Sequence, residues 1–134
     1  MRCHSFQPRP TRLEAQPLWQ AGEPSPRTAR RLCDAAALAT AAAFAVPVGE
    51  LQASSRRSPY VALARQSGMY LSHVAFGVNL SAVGRAFGRD RTTAAHACRL
   101  IEDRRDDPAV DAVLASLEGS CRALRRRLAA PVTP

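Results

Sequence analysis

Residues 79–105 read NLSAVGRAFGRDRTTAAHACRLIEDRR, and the order of residue types in this stretch decides the fold. Asn79 is a side chain suited to a helix N-cap, and Leu80, Val83, Gly84 and Phe87 follow at i, i+3, i+4 and i+7, one apolar face of a short helix. Gly88 ends that helix as a C-cap. A second helix starts around Asp90 and runs to about Arg105. Its Ala94, Ala97, Cys98 and Ile101 point inward, while Arg91, Thr92, Ala95, His96 and Arg99 lie on the other side. Gly84 in mid-helix costs roughly 1 kcal/mol relative to alanine, which a close crossing by another helix would explain. A short helix, a glycine turn and a second helix make a helix-turn-helix.

In that motif the second helix enters the DNA major groove by its N-terminal end. The unpaired N–H groups and positive dipole end there also favour phosphate. An aspartate in this first turn can accept from cytosine N4, threonine methyls can touch the thymine methyl, and an arginine can bind guanine O6 and N7. A plainer reading makes Asp90 simply the cap and Thr92 and Thr93 ordinary first-turn residues. The motif by itself leaves both open.

The flanking sequence is helical too. Ser25-Pro26 pairs an N-cap with a first-turn proline, predicting a helix to about Val46, where Pro47 stops it; Leu32, Ala36, Ala39 and Ala43 form its stripe. Residues 48–53 make one short turn, and "SSRRSP", 54–59, is a basic loop. A helix from Tyr60 to about Ala75 has Val61, Ala64, Gly68 and Leu71 on its apolar face, before "FGVN" breaks it. Asp107-Pro108 opens a last helix with the stripe Val110, Val113, Leu114, Leu117, Cys121, Leu124 and Leu128; Arg125, Arg126 and Arg127 sit in its final turns, where cations suit the helix dipole. No strand pattern competes. Residues 1–25 contain Pro8, Pro10, Pro17 and Pro24 among polar residues, with Leu13, Leu18 and Trp19 scattered. The expected architecture is all-α: a small helical bundle containing a helix-turn-helix over residues 26–130, behind a disordered proline-rich arm, 1–25.

Charge narrows the class of partner. The 134-residue chain has a formal charge of +8, and all 19 of its basic residues are arginine. Residues 1–50 carry 6 arginines against 4 acids and residues 51–134 carry 13 against 7, so the excess falls mainly in the half that holds the motif. A basic surface attracts polyanions, and the guanidinium fork fits phosphate and guanine edges. Cys3, Cys33, Cys98 and Cys121 form no CxxC pair, and His4, His73 and His96 complete no zinc spacing. The cysteines read as small buried thiols in a reducing compartment, with no metal and no cofactor. The uncharged run 35–46 is too short to cross a bilayer. These features predict a cytoplasmic, nucleoid-associated protein with no membrane partner. No paired carboxylates or nucleophile–base constellation suggests an enzyme.

The segment from about Ala29 to Leu117 resembles the C-terminal DNA-binding domain of the bacterial replication initiator DnaA. The matching pieces are "AAAFAVPVGELQASSRRS", "ARQSGMYL" and "LSAVGRAFGRDRTTAAHACRLIE". In the third piece Arg89, Asp90, Thr92, Thr93, His96 and Ala97 fit the family's pattern of phenylalanine-glycine, Arg-Asp-His-Thr-Thr and a downstream His-Ala. The resemblance implies that Asp90 and Thr92 read base edges in the major groove, with Arg91 beside them, and that Arg57 enters the adjacent minor groove. It implies phosphate contacts at Arg56, Arg65, Gln66, Arg89, Thr93 and His96. An arginine in a narrow A·T-rich minor groove meets an enhanced negative potential, which gives the loop a reason to be basic.

Four positions depart from the family. Arg91 stands where the family has a base-reading histidine, and a longer, always charged side chain can read guanine. The turn "FGRD" has one glycine where two are usual. His73 replaces a phosphate-binding lysine, and Pro59 a basic loop residue. The initiator's ATPase needs a GxxxxGK[ST] loop, and this chain has no such loop and no lysine at all, so no nucleotide partner is expected. The function expected is a stand-alone, non-enzymatic, sequence-preferring double-stranded-DNA-binding protein that regulates replication initiation or transcription at initiator-like sites. The alternative is a protein-interaction module that binds the replication initiator or a related factor with weak or no DNA binding.

Overall fold

A computed structural model of the chain describes residues 24–51 and 58–129. The proposed arm up to residue 23, with Cys3, His4 and Trp19, and the loop arginines Arg56 and Arg57 lie outside the described residues. Among the described residues six helices follow one another: α1 (Pro26–Phe44), α2 (Val48–Leu51), α3 (Pro59–Val74), α4 (Leu80–Ala86), α5 (Arg91–Arg104) and α6 (Pro108–Ala129). No strand occurs among the described residues.

Four helices open by the same chemistry. Ser25, Ser58, Asn79 and Asp90 are extended, and each side chain accepts from the backbone N–H three residues on, in Thr28, Val61, Ala82 and Thr93. Pro26 and Pro59 occupy first-turn positions, where a missing N–H costs nothing. Pro59 therefore starts α3 and does not belong to the loop before it. The end of α1 also differs from expectation. Ala45 turns left-handed (φ 56°) and its N–H returns to Ala41 and Ala42, so the helix closes at Phe44, before Pro47 acts.

The buried face of α1 is Ala29, Leu32, Cys33, Ala36, Ala37, Thr40, Ala41 and Phe44; Ala39 is half-buried and Ala43 exposed. The stripe expected at 32, 36, 39 and 43 is thus turned partly the wrong way. With alanine at most positions from 35 to 43, periodicity cannot choose a face, and packing against α3 chooses it instead. α3 lies at the centre, against α1 on one side and α5 on the other, and α4 packs on α1 and α5. Leu32, Leu51, Met69, Leu71, Phe76, Val83, Phe87, Ile101 and Leu114 fill the space between them.

Gly84 packs closely, but not against another helix. A Cβ there would stand 2.8 Å from Arg89 O and from the carbonyl C and O of Asp90. The turn folds its own backbone over α4, and the Arg89 N–H donates to Gly84 O at 2.7 Å. Gly88 makes this possible at φ 68°, a left-handed value that glycine adopts without a Cβ penalty.

α6 departs most from its expected face. Leu114 and Cys121 are buried, Val110 and Leu117 are half-buried against the core, but Val113, Leu124 and Leu128 are 40%, 38% and 57% exposed. Glu118 and Arg125 are buried in their place. The cause is polar. Arg105, at the end of α5, donates to Asp111 and, at 2.8 Å, to Glu118, and also to the Tyr70 hydroxyl at 3.1 Å. Arg122 bridges the other Glu118 oxygen at 2.7 Å. These bonds turn the Glu118 side of α6 toward the domain and leave part of the leucine stripe outside.

Candidate nucleic-acid interface

The candidate site centres on the first turn of α5. Asp90 accepts the Thr93 N–H at 2.8 Å, and this backbone bond, with one from the Thr93 side chain, holds its carboxyl below the usual carboxylate range. A carboxyl with a lowered folded pKa stabilises the fold fully above the ordinary carboxylate range and loses that contribution as pH falls through the lowered value. At neutral pH, then, Asp90 is an ionised cap held by Thr93. Asp90, Arg91, Thr92 and Thr93 are all exposed. Among the described residues, the Arg91 and Thr92 side chains make no hydrogen bond or ion pair.

Beside this tip runs a groove of about 370 Å³ between α3 and α5, lined by Arg65, Gln66 and Met69 on one wall and Arg89, Thr93 and His96 on the other. Five residues assigned to phosphate from sequence, Arg65, Gln66, Arg89, Thr93 and His96, therefore share one groove. They reach it differently. Arg65 is buried, and its guanidinium donates to Leu51 O at 3.0 Å and Glu50 O at 3.4 Å. It ties down the end of α2 while forming the groove wall, a role that the sequence does not suggest. Arg89 is folded over its own turn, donating to Phe87 O and Gly88 O, each at 3.3 Å. His96 is exposed at the rim.

His73, where the resemblance points to a lysine, has Nδ1 2.8 Å from Val78 O, across the turn into α4. Arg99 is exposed seven residues after Thr92, on the same side of α5. It is not among the DNA contacts expected from sequence, although its i+7 spacing from Thr92 carries the signal. The exposed acids Glu102 and Asp103 lie in the last turn, about 15 Å along the axis from the tip at 1.5 Å per residue. The first nine residues of α5 therefore present Arg91, His96 and Arg99 with no acid after the cap.

Two of the described thiols are poor nucleophiles. Burial pushes Cys33 and Cys121 up to about 11, so both stay protonated at neutral pH. Among the described residues no three His, Cys, Asp or Glu side chains gather into a group able to hold a metal. No helix among them is long and apolar enough to cross a membrane.

The family described as bacterial dnaA protein helix-turn-helix matches residues 34–101, from α1 through most of α5, and so spans the first turn of α5 and both groove walls. The chain belongs to this family. The chromosomal replication initiator protein DnaA 2 of Chlamydia trachomatis is 41% identical over 64 residues, and its namesake in Chlamydia pneumoniae is 39% identical over 64. DnaA 1 of Protochlamydia amoebophila is also 39% identical over 64 residues. Each alignment takes in 48% of this chain and only 14% of the relative. The DnaA-type match leaves α6 outside it, and that is the helix held by the Arg105 bonds.

Proposed function

We propose that this chain is a non-enzymatic protein that binds double-stranded DNA with sequence preference, at sites like those of the replication initiator, and so regulates replication initiation or nearby transcription. The observation that carries the reading is the groove: Arg65, Gln66, Arg89, Thr93 and His96 converge beside an exposed first turn bearing Asp90, Arg91 and Thr92. A duplex strand along the groove places its phosphates against these donors, and the α5 tip enters the major groove. Phosphate contacts fix the register, and the tip residues supply the preference. The reading assigns Arg57 to the minor groove and Arg56 to the phosphate backbone. Occupying such sites sets the chain to compete with the initiator or to assist it there, and the initiator is the protein partner this reading involves.

The deciding experiment titrates the protein with an initiator-site duplex and a scrambled duplex at several salt concentrations. Specific binding that weakens steeply with salt supports the reading; equal, weak binding to both duplexes overturns it in favour of a protein-interaction module. Within that assay, Arg56→Ala with Arg57→Ala should lower affinity and flatten the log–log salt slope by roughly one to two units, about 0.9 for each phosphate that is no longer neutralised. An unaltered slope would take the loop off the binding face.

Two variants address the tip. Thr92→Ala should cost about 1–3 kcal/mol of discrimination between the duplexes with melting unchanged, because the side chain is exposed and meets only a base edge. Asp90→Asn keeps an acceptor for the Thr93 N–H, so melting should hold while base preference relaxes; equal discrimination in this variant and the parent would leave Asp90 as a cap alone. Arg91→His should move the consensus selected from random duplexes toward the initiator's site, and an identical consensus would show that Arg91 reads no base.

A further inference from the structure

We infer that α6 is a self-association surface on which a second copy of this chain docks antiparallel. Val113, Leu117, Leu124 and Leu128 follow one another along one side of α6 at spacings of 4, 7 and 4 residues. Leu117 is half-buried, while the other three are exposed at 40%, 38% and 57%. This stripe is separate from the face that carries Leu114, Glu118, Cys121 and Arg125 toward the domain. Its spacing is symmetric about a midpoint between Ser120 and Cys121, so two antiparallel helices match residue for residue. Leu117 of each faces Leu124 of the other, and Val113 faces Leu128. Near the midpoint Ser120 is small and exposed, which lets the two helices approach closely.

Charge selects the same direction. α6 and the turn before it begin acidic, with exposed Asp106 and Asp107 and half-exposed Asp111, and the helix ends with the exposed Arg126 and Arg127 and no acid after Glu118. Antiparallel docking sets each acidic start against the other copy's basic end and opposes the two helix dipoles. Parallel docking would stack arginine on arginine. The pairing is isologous, so it closes at two copies. The interface is a single short helix pair, and association is therefore reversible and concentration-dependent.

The test uses the full chain without DNA, so its outcome does not depend on the DNA-binding reading. In sedimentation equilibrium the parent's weight-average mass should rise with concentration from 14.4 kDa toward that of two chains. Val113→Glu and Leu128→Arg alter exposed side chains, so each variant should keep the parent's circular dichroism while remaining at the mass of one chain. Mixed in equal amounts, the two variants should recover the two-chain mass, because the register places position 113 of one opposite position 128 of the other. A parent that stays at one chain at every concentration overturns the inference, including where residues 1–23 or another protein cover the stripe. Single variants that associate like the parent, or a mixture that does not recover, overturn it equally.

Discussion

Arg105→Ala is expected to lower the stability of the fold by about 3–5 kcal/mol, the usual cost of removing one member of a buried ion pair. Burial works against the Arg105 charge, yet hydrogen bonds to Glu118 and Asp111 more than offset it and hold the guanidinium above its ordinary pKa. Removing the side chain leaves Glu118, only 12% exposed, with Arg122 as its remaining ion pair, and takes the donor from the Tyr70 hydroxyl. It also cuts three polar links between α5, α6 and α3, and α6 has few apolar ones: only Leu114 and Cys121 of its large stripe are buried. Asp111→Asn should cost about 1 kcal/mol or less, because Asp111 is 45% exposed and water replaces much of what it loses. Urea unfolding followed by circular dichroism measures both. A loss for Arg105→Ala no greater than that for Asp111→Asn would mean that the apolar contacts of α6, not this network, dock the helix.

The parts of the fold that were legible in the sequence are those written in local chemistry. Ser25-Pro26, Asn79 and Asp90 announce helix starts because a cap needs only its own next three residues, and Leu80, Val83, Gly84 and Phe87 announce a face because polar residues lie between them. Where local contrast fails, so does the reading. The alanine run in α1 offers no polar side to turn away from the core, and its face is set by α3. The last helix shows a clean leucine stripe, but Arg105 and Tyr70, 13 and 48 residues from Glu118 in sequence, rotate it away from that stripe. Long-range polar pairing leaves no period to read.

The candidate site divides in the same way. Exposed tip residues Asp90, Arg91 and Thr92 were legible from their place after a glycine turn. That Arg65 would be buried against the Leu51 and Glu50 carbonyls was not, because a lone guanidinium on a helix looks the same in sequence whether it meets phosphate or a helix end. On the proposed function its burial has a consequence: a groove wall fixed by hydrogen bonds presents Gln66 and the rest of α3 in one position, so less conformational entropy is lost when a strand docks.

Gly84→Ala is expected to remove discrimination between initiator-site and scrambled duplexes and to destabilise the protein by about 3 kcal/mol, near the upper end of ordinary overpacking costs. The new methyl would lie 2.8 Å from three backbone atoms of Arg89 and Asp90. A flexible side chain could swing aside, but the peptide that enters α5 cannot. Alanine's better helix propensity returns only about 1 kcal/mol, too little to restore the turn. The turn must open, breaking the 2.7 Å bond from the Arg89 N–H to Gly84 O and displacing the start of α5. On the proposed function, Asp90, Arg91 and Thr92 then leave the base edges together, and Thr93 and His96 move away from Arg65 and Gln66 across the groove. Residual binding should be the salt-sensitive, sequence-independent kind that a basic surface gives any duplex. Gly119→Ala is the matched control: a Cβ there meets nothing within 4 Å, so it should leave binding unchanged and raise stability by about 0.5–1 kcal/mol. Melting curves and duplex titrations on both variants measure the difference. A Gly84→Ala protein that melts and discriminates like the parent would show that the turn yields easily, and that the angle of α5 is set by its packing on α3.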